Sequence, residues 1–192
     1  MGQFAFEKTK IEGVLLFKSF GAFDQRGGLV KDYSMYEFAA CGVRFQPTET
    51  YFLRRSKGSL SGNRLQVKKP QIRLFSVLEG AVFNAVTDLR PHSPTYKEWE
   101  GFRLSAENGV CLLVPAGCAN GSLRLTDSLV SVKSEGIYDS SAPNGFLWND
   151  KTIGVQYPIE EIGGVERLII SQKDLDLPPF ERMEALVKAG LV

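Results

Sequence analysis

Short apolar runs, each cut off by a glycine, a proline or a polar pair, recur at nearly even spacing along this chain. The clearest lies over residues 74–90, LFSVLEGAVFNAVTDLR, where two such runs are broken only at Glu79-Gly80. Glycine accepts the positive φ of a tight turn, so the segment predicts a strand, a hairpin turn and a second strand. The second strand puts Ala81, Phe83, Ala85, Thr87 and Leu89 on one face and Val82, Asn84, Val86 and Asp88 on the other. Both faces are largely apolar. The strand is therefore expected to be covered on both sides, with Asn84 and Asp88 turned toward a polar interior. A wet interior face points to a barrel or jelly roll with a ligand pocket, and a sandwich strand with one tolerated Asn fits the same pattern.

Upstream, residues 11–20 read as a first strand ended by Gly21, residues 24–28 (DQRGG) as a turn, and Leu29-Val30 as a short strand. Ser34-Met35-Tyr36-Glu37 matches a capping box and predicts a helix of about two turns, with Met35, Phe38 and Ala39 inward and Gly42 as its stop. Residues 49–54 and 60–66 predict strands around the Lys57-Gly58 turn. Downstream, residues 101–104, 110–114, 121–125 and 129–133 are short strands separated by polar turns. Pro178-Pro179 introduces an amphipathic helix over 180–189, with Phe180, Met183, Leu186 and Val187 on one face and Gly190 as its stop. Evenly spaced short strands with little helix predict an all-β architecture. No repeat, low-complexity tract or linker divides the 192 residues, so one domain over 1–192 is expected.

Charge narrows the partners. The formal net charge is +1 and like charges never run in long blocks, which argues against a nucleic-acid or membrane surface. No stretch approaches the ~20 apolar residues of a membrane span, so a soluble, cytoplasmic protein is expected. Cys41, Cys111 and Cys118 are odd in number and lack metal spacing, as reduced structural thiols would be. The single histidine, His92, sits in the proline-flanked segment Arg90-Pro91-His92-Ser93-Pro94 and reads as an exposed loop residue. One histidine excludes a metal site built on several imidazoles and a dyad that needs a second one. No metal is expected.

Several segments together resemble the dTDP-4-dehydrorhamnose 3,5-epimerase family, a branch of the cupin jelly rolls. They are residues 23–27 (FDQRG), 58–62 (GSLSG), 79–83 (EGAVF), 88–90 (DLR), 93–96 (SPTY), 104–108 (LSAEN), 114–117 (VPAG), 148–150 (WND), 157–158 (YP) and 171–174 (SQKD). They keep the family's order over most of the chain. The resemblance implies a cupin-type double-stranded β-helix with short peripheral helices and a C-terminal helix. It also implies a nucleoside-diphosphate 4-keto-6-deoxy sugar as ligand, in deoxysugar or polysaccharide biosynthesis, and no cofactor. In the family a base removes the acidic proton beside the ketone and an acid on the other face returns it. The resemblance further implies a homodimer in which an N-terminal arginine, here Arg26, reaches the neighbour's nucleotide.

The family's reacting groups are replaced. Where it has its base histidine this chain has Arg64, and where it has its acid tyrosine this chain has Val132. Arg73 stands for a Lys, Asn84 for an Asp, Asn120 for a His and Ser61 for an arginine that contacts the diphosphate; Asp174 is kept. Arginine stays protonated, with a pKa above about 12, so Arg64 is no general base. Val132 has no proton to give. What remains is an expected cationic pocket, with Arg64 and Arg73 pointing inward and suited to bidentate contact with diphosphate or carboxylate. A buried guanidinium needs a counter-charge, so an Arg64–Asp174 salt bridge is expected. Tyr138 matches the aromatic on which the family stacks its base, although a core or surface tyrosine reads the same way. Tyr51 and Glu49 lie near ligand positions, and either is a candidate unorthodox acid or base. Trp148-Asn149-Asp150 reads as a packed turn. Two functions stay open: a sugar-nucleotide isomerase with a changed mechanism, or an inactive homologue that binds a nucleotide sugar or supports a partner enzyme.

Overall fold

The computed structural model describes residues 4–139 and 144–191. In chain order its strands are β1 (Glu7–Lys8), β2 (Leu15–Lys18), β3 (Phe20–Asp24), β4 (Gly27–Lys31), β5 (Glu49–Arg55), β6 (Ser59–Arg64) and β7 (Ile72–Glu79). The later strands are β8 (Ala81–Asp88), β9 (Trp99–Ser105), β10 (Val110–Val114), β11 (Cys118–Arg124), β12 (Ser128–Glu135) and β13 (Ile169–Ile170). Short helices α1 (Met35–Ala40), α2 (Gln172–Leu175) and α3 (Phe180–Leu186) lie around them. The strands form one sheet in the order β1-β2-β10-β7-β12-β5, a second in the order β13-β6-β11-β8-β9, and a separate β3-β4 ribbon. Apart from β13, which runs parallel to β6, neighbours are antiparallel. This is the expected all-β jelly roll with peripheral helices.

The hairpin expected at Glu79-Gly80 is not formed. β7 belongs to the first sheet and β8 to the second, so the turn is a corner where the chain crosses between sheets. The Lys57-Gly58 turn makes the same crossing between β5 and β6. Two alternating runs around a glycine carry the same signal whether they pair with each other or with distant strands. Only the partners differ. Gly80 has φ +75°, and a Cβ there would lie 2.1 Å from the Asp127 carbonyl oxygen. The corner is closed by the Ala81 N–H, which donates to Thr126 Oγ1 at 2.9 Å.

Apolar side chains on both sheet faces are buried because each sheet is covered twice. Between the sheets lie Phe75, Val77, Val82, Val86, Leu112 and Val130. The outer face of the second sheet, with Phe83, Ala85 and Leu123, packs on Phe146, Tyr157, Phe180 and Met183 from the C-terminal third. On the outer face of the first, Leu74, Leu113 and Phe17 meet Phe4, Phe38 and Phe45. In that last cluster Phe38 stands edge-on to Phe4 and Phe17, each at 5.3 Å, which pins α1 to the sheet.

Several local expectations are corrected. Residues 11–20 do not form one strand; Ile11 is buried in a turn before β2, and Gly21 lies inside β3. Ser34 makes no side-chain cap, and the Glu37 carboxylate pairs with Lys31 instead of reaching back, its Oε1 accepting from Nζ at 2.9 Å. Of the expected inner face of α1, Phe38 is buried but Met35 is 42% exposed. Asp88 does not look into a polar lumen. It accepts from the Arg90 backbone and side chain, from Ser93 Oγ and from Thr95 Oγ1, which ties down the loop after β8. Burial pushes its pKa up, but those hydrogen bonds outweigh it and leave the carboxyl below its ordinary range. At the C-terminal end α3 runs on into a π-helical turn, Val187–Leu191, so Gly190 is no stop.

The cysteines are free; burial pushes the Cys111 thiol up to about 11 and the Cys118 thiol up to about 12, whereas Cys41 is exposed. Among the described residues no helix is long and apolar enough to cross a membrane.

Two tests bear on this architecture. Gly80→Ala places a side chain in the left-handed region and against a backbone oxygen. It should cost at least about 1–3 kcal/mol in denaturant unfolding, and an unchanged midpoint would show that the corner is free to relax. The second concerns α3. Glu184 pairs with Lys188 and Lys97, each at 2.8 Å, and these partners hold its pKa down to about 2 against the effect of burial. A folded-state pKa below the unfolded one adds stability that is full above the ordinary carboxylate pKa and lost as pH falls toward 2. Thermal unfolding between pH 5 and about 2 should therefore fall more steeply for the native chain than for Glu184→Gln; parallel curves would refute the linkage.

Candidate ligand-binding lumen

The inner faces of β5, β6, β7, β11 and β12 line a cavity of about 480 Å3. Side chains alternate along a strand, so lining positions recur every second residue. β5 contributes Tyr51, Leu53 and Arg55; β11 contributes Asn120, Ser122 and Arg124; β12 contributes Val130 and Val132. β6 breaks the rule, sending both Ser61 and Arg64 inward. Its register against β11 shifts there, with Asn120 opposite Arg64 but Ser122 opposite Ser61. An extra residue in one strand re-aims the side chains beyond it, and here it turns Arg64 into the cavity.

Arg64 meets Asp174 from α2. Its Nη2 lies 2.8 Å, and its Nε 3.1 Å, from Asp174 Oδ1. The same oxygen accepts from the Gly62 N–H at 2.7 Å, and Oδ2 accepts from Ser171 Oγ at 2.6 Å. Asp174 is 3% exposed, so this carboxylate is a buried structural anion with both oxygens engaged. Gly62 makes the approach possible. A Cβ there would sit 2.7 Å from Leu177 Cδ1 and 3.3 Å from Asp174 Oδ1.

Arg73 also lines the cavity. Its Nη2 donates to the Arg64 carbonyl oxygen at 3.0 Å, and the guanidinium lies 5.7 Å from the Phe75 ring. Burial lowers its pKa from the ordinary arginine value, and among the described residues it makes no ion pair. Tyr51 is the register partner of Val132 on the neighbouring strand, and both line the cavity. Burial raises the Tyr51 pKa, with Arg73 opposing and Glu49 adding to the rise, so the phenol keeps its proton at neutral pH.

The remaining predicted residues fall in three places. Asn120 lines the cavity; Asn84 stands behind it, accepting from Asn120 Nδ2 at 3.3 Å. Tyr138 lies on the cavity wall beside Asn144 and is 55% exposed. Arg26 is not in this chain's cavity. It sits in the turn between β3 and β4, paired with Asp24 at 2.6 Å, with its side chain 85% exposed. Glu49 receives a bond from Ser134 Oγ at 3.4 Å and is outside the lining. Trp148 packs on the outer core, while Asp150 accepts from the Thr152 and Phe180 N–H groups, which makes this segment a packed turn.

Sequence reasoning missed Arg55, Ser122 and Arg124. The signal was available: counting by two from Asn120 puts Ser122 and Arg124 on its face, and counting by two from Tyr51 reaches Arg55.

An antiparallel jelly roll with a polar, arginine-rich lumen is a small-molecule-binding barrel of the cupin class. This chain belongs to the dTDP-4-dehydrorhamnose 3,5-epimerase family, whose sequence profile matches residues 8–182. It is 37% identical over 184 residues to the dTDP-4-dehydrorhamnose 3,5-epimerase of Methanothermobacter thermautotrophicus, covering 94% of this chain and 96% of that one. To the Shigella flexneri enzyme it is 33% identical over 178 residues, covering 90% and 94%. The crystal structure of the Legionella pneumophila enzyme in complex with dTDP-4-keto-L-rhamnose matches with a TM-score of 0.86 at 25% identity, over 99% of this chain and 97% of that one. That of the Bacillus anthracis enzyme with TDP and PPi bound matches with a TM-score of 0.81 at 29% identity, over 92% and 99%.

A double-mutant cycle tests the ion pair. Asp174→Ala should cost about 3 kcal/mol of stability, because it strands a guanidinium and a buried N–H together. Combined with Arg64→Met it should cost less than the two single changes summed; strict additivity would show that the two groups are not coupled.

Proposed function

We propose that this protein binds a nucleoside-diphosphate keto sugar of the 4-keto-6-deoxy type in its lumen, without the two-faced proton transfer of its family. The negative charge of the ligand is met by the arginines of the lumen wall, and the base stacks on Tyr138. The carrying observation is the Arg64–Asp174 pair: the group at the family's base position is a guanidinium already bound to the carboxylate beside it. A guanidinium is no general base near neutral pH, and four hydrogen bonds occupy the oxygens of the carboxylate beside it. Val132, at the acid position, offers none. Support for the ligand class comes from the relatives, one bound to dTDP-4-keto-L-rhamnose and another to TDP.

A second reading rests on Tyr51. It carries a proton, lines the cavity and stands across the strand pair from Val132, so a proton donor displaced by one strand would supply one-sided chemistry on the keto sugar. An isomerase of this kind and a silent partner of an active epimerase are both read into the same lumen.

We further infer a homodimer. The β3-β4 ribbon leaves Phe23 76%, Leu29 57% and Val30 50% exposed, and β5 is a sheet edge with Phe52 60% exposed. Apolar side chains on a ribbon and an open edge fit pairing with a second copy. In that arrangement Arg26, outside its own lumen lining, would serve the neighbour's nucleotide. We read the chain as one domain working in the cytoplasm, where three free thiols stay reduced.

One experiment decides between binding and chemistry. The protein is incubated with a dTDP-4-keto-6-deoxy sugar in deuterium oxide, with binding followed by calorimetry and exchange by mass spectrometry. Binding without deuterium at the carbons beside the ketone is expected, and Tyr138→Ala should weaken it roughly tenfold or more, as loss of a stacking platform worth about 1–3 kcal/mol predicts. Deuterium incorporation that disappears in Tyr51→Phe would establish the second reading and overturn the first.

A further inference from the structure

Arginines line the cavity in two groups set apart along its wall. Register fixes their levels. On β12, Ser128 stands opposite Arg55 and Ser134 opposite Arg73, with Val130 and Val132 between them, about 20 Å of strand in all. At the first level Ser61 and Ser122 are register partners, and each holds one guanidinium: Arg55 Nη1 donates to Ser61 Oγ at 2.9 Å, and Arg124 Nη1 to Ser122 Oγ at 2.6 Å. Ser61 stands for the family's diphosphate-contacting arginine, so Arg55 brings a guanidinium back to that place. At the other level Arg64 lies opposite Asn120, and Arg73 Nη2 donates to the Arg64 carbonyl oxygen at 3.0 Å.

The Arg64–Arg73 group carries more positive charge than its surroundings balance. Asp174 is the one acid among the lining residues, and its two oxygens are taken by Arg64, the Gly62 N–H and Ser171. Lys173, exposed beside it on α2, adds a further cation to the lining. Arg73 faces the Arg64 and Cys118 carbonyl oxygens and the Phe75 ring, none of them charged. Among the described residues it makes no ion pair. Burial lowers its pKa, as it does for a cation short of a counter-charge. A desolvated guanidinium of this kind is costly, and a ligand carboxylate removes the cost because its two oxygens match the guanidinium fork. Arg64 lies three residues beyond Ser61 on β6, about 10 Å. A nucleotide sugar anchored at Ser61 by its diphosphate therefore presents its sugar to Arg64 and Arg73.

We propose that Arg73, together with Arg64, selects a carboxylate carried as a substituent on the sugar, so that the lumen prefers an acidic nucleotide sugar to a neutral one. The inference rests on the nucleotide-sugar reading and narrows it to sugars with an acidic substituent. The two groups of arginines then divide the ligand between them, Arg55 and Arg124 at the diphosphate and Arg73 and Arg64 at the carboxylate.

The test compares dTDP, dTDP-glucose, dTDP-glucuronic acid and free glucuronate by calorimetry on the full chain. dTDP-glucuronic acid should bind at least tenfold more tightly than dTDP-glucose. Arg73→Met should weaken the acidic sugar at least tenfold more than the neutral one, whereas Arg55→Met should weaken dTDP and both sugars by one common factor. If Arg73→Met fails to fold, Arg73→Lys decides. Its ammonium lacks the fork and should cut the preference at least threefold; an unchanged preference would overturn the assignment to Arg73. Equal affinity of the native chain for the two sugars would overturn the proposal outright. So would a preference that Arg55→Met removes and Arg73→Met leaves, which would seat the acid at the other end. Arg73-dependent binding of glucuronate by a protein that binds no dTDP would keep the carboxylate site while refuting the nucleotide reading.

Discussion

The Asp174 carboxylate is the tie on which the lumen depends. It takes hydrogen bonds from the Gly62 backbone, the Arg64 guanidinium and the Ser171 hydroxyl, and so fastens α2 to the strand that carries the cavity's central arginine. Three features make it possible. Gly62 lacks a side chain that would strike Leu177, the register of β6 shifts to aim Arg64 inward, and β13 runs parallel to β6 to deliver α2. Buried charges are tolerated when paired and fully hydrogen-bonded, and this one is.

The corners between sheets do the complementary work. Because β7 and β8 cross at Gly80 instead of pairing, they join different sheets, and both faces of each sheet acquire a cover. The lumen wall is thereby composed of alternate residues from strands of both sheets. Its character is uneven. Leu53, Val130 and Val132 keep its middle apolar, while arginines stand on either side.

That distribution of charge gives the lumen its character. One arginine is neutralised by an acid from the protein; Arg55, Arg73 and Arg124 are held by serine hydroxyls, carbonyl oxygens or an aromatic face. Fixed positive charge suits recognition of anions and suits acid–base turnover poorly, since a guanidinium gives up no proton near neutral pH.

Much of this was legible in the sequence. Period-two alternation and glycine punctuation are local, so the strands could be placed within a few residues, and the motifs from Phe23 to Asp174 carried the fold. The inward positions of Arg64, Arg73 and Asn120 came from the resemblance, as did the partner for Arg64. What the chain did not disclose locally was pairing. The turns at Gly58 and Gly80 read the same as hairpins or as corners, and the Glu37 side chain paired with Lys31. Arg55 and Arg124 went unnoticed because each looks like an ordinary strand charge until β5 and β11 are bent round one cavity. Residue type and spacing alone determined the all-β class of fold. Tertiary structure decided which charges meet, because contacts such as Arg64 with Asp174 join residues 110 apart, beyond the reach of any local pattern.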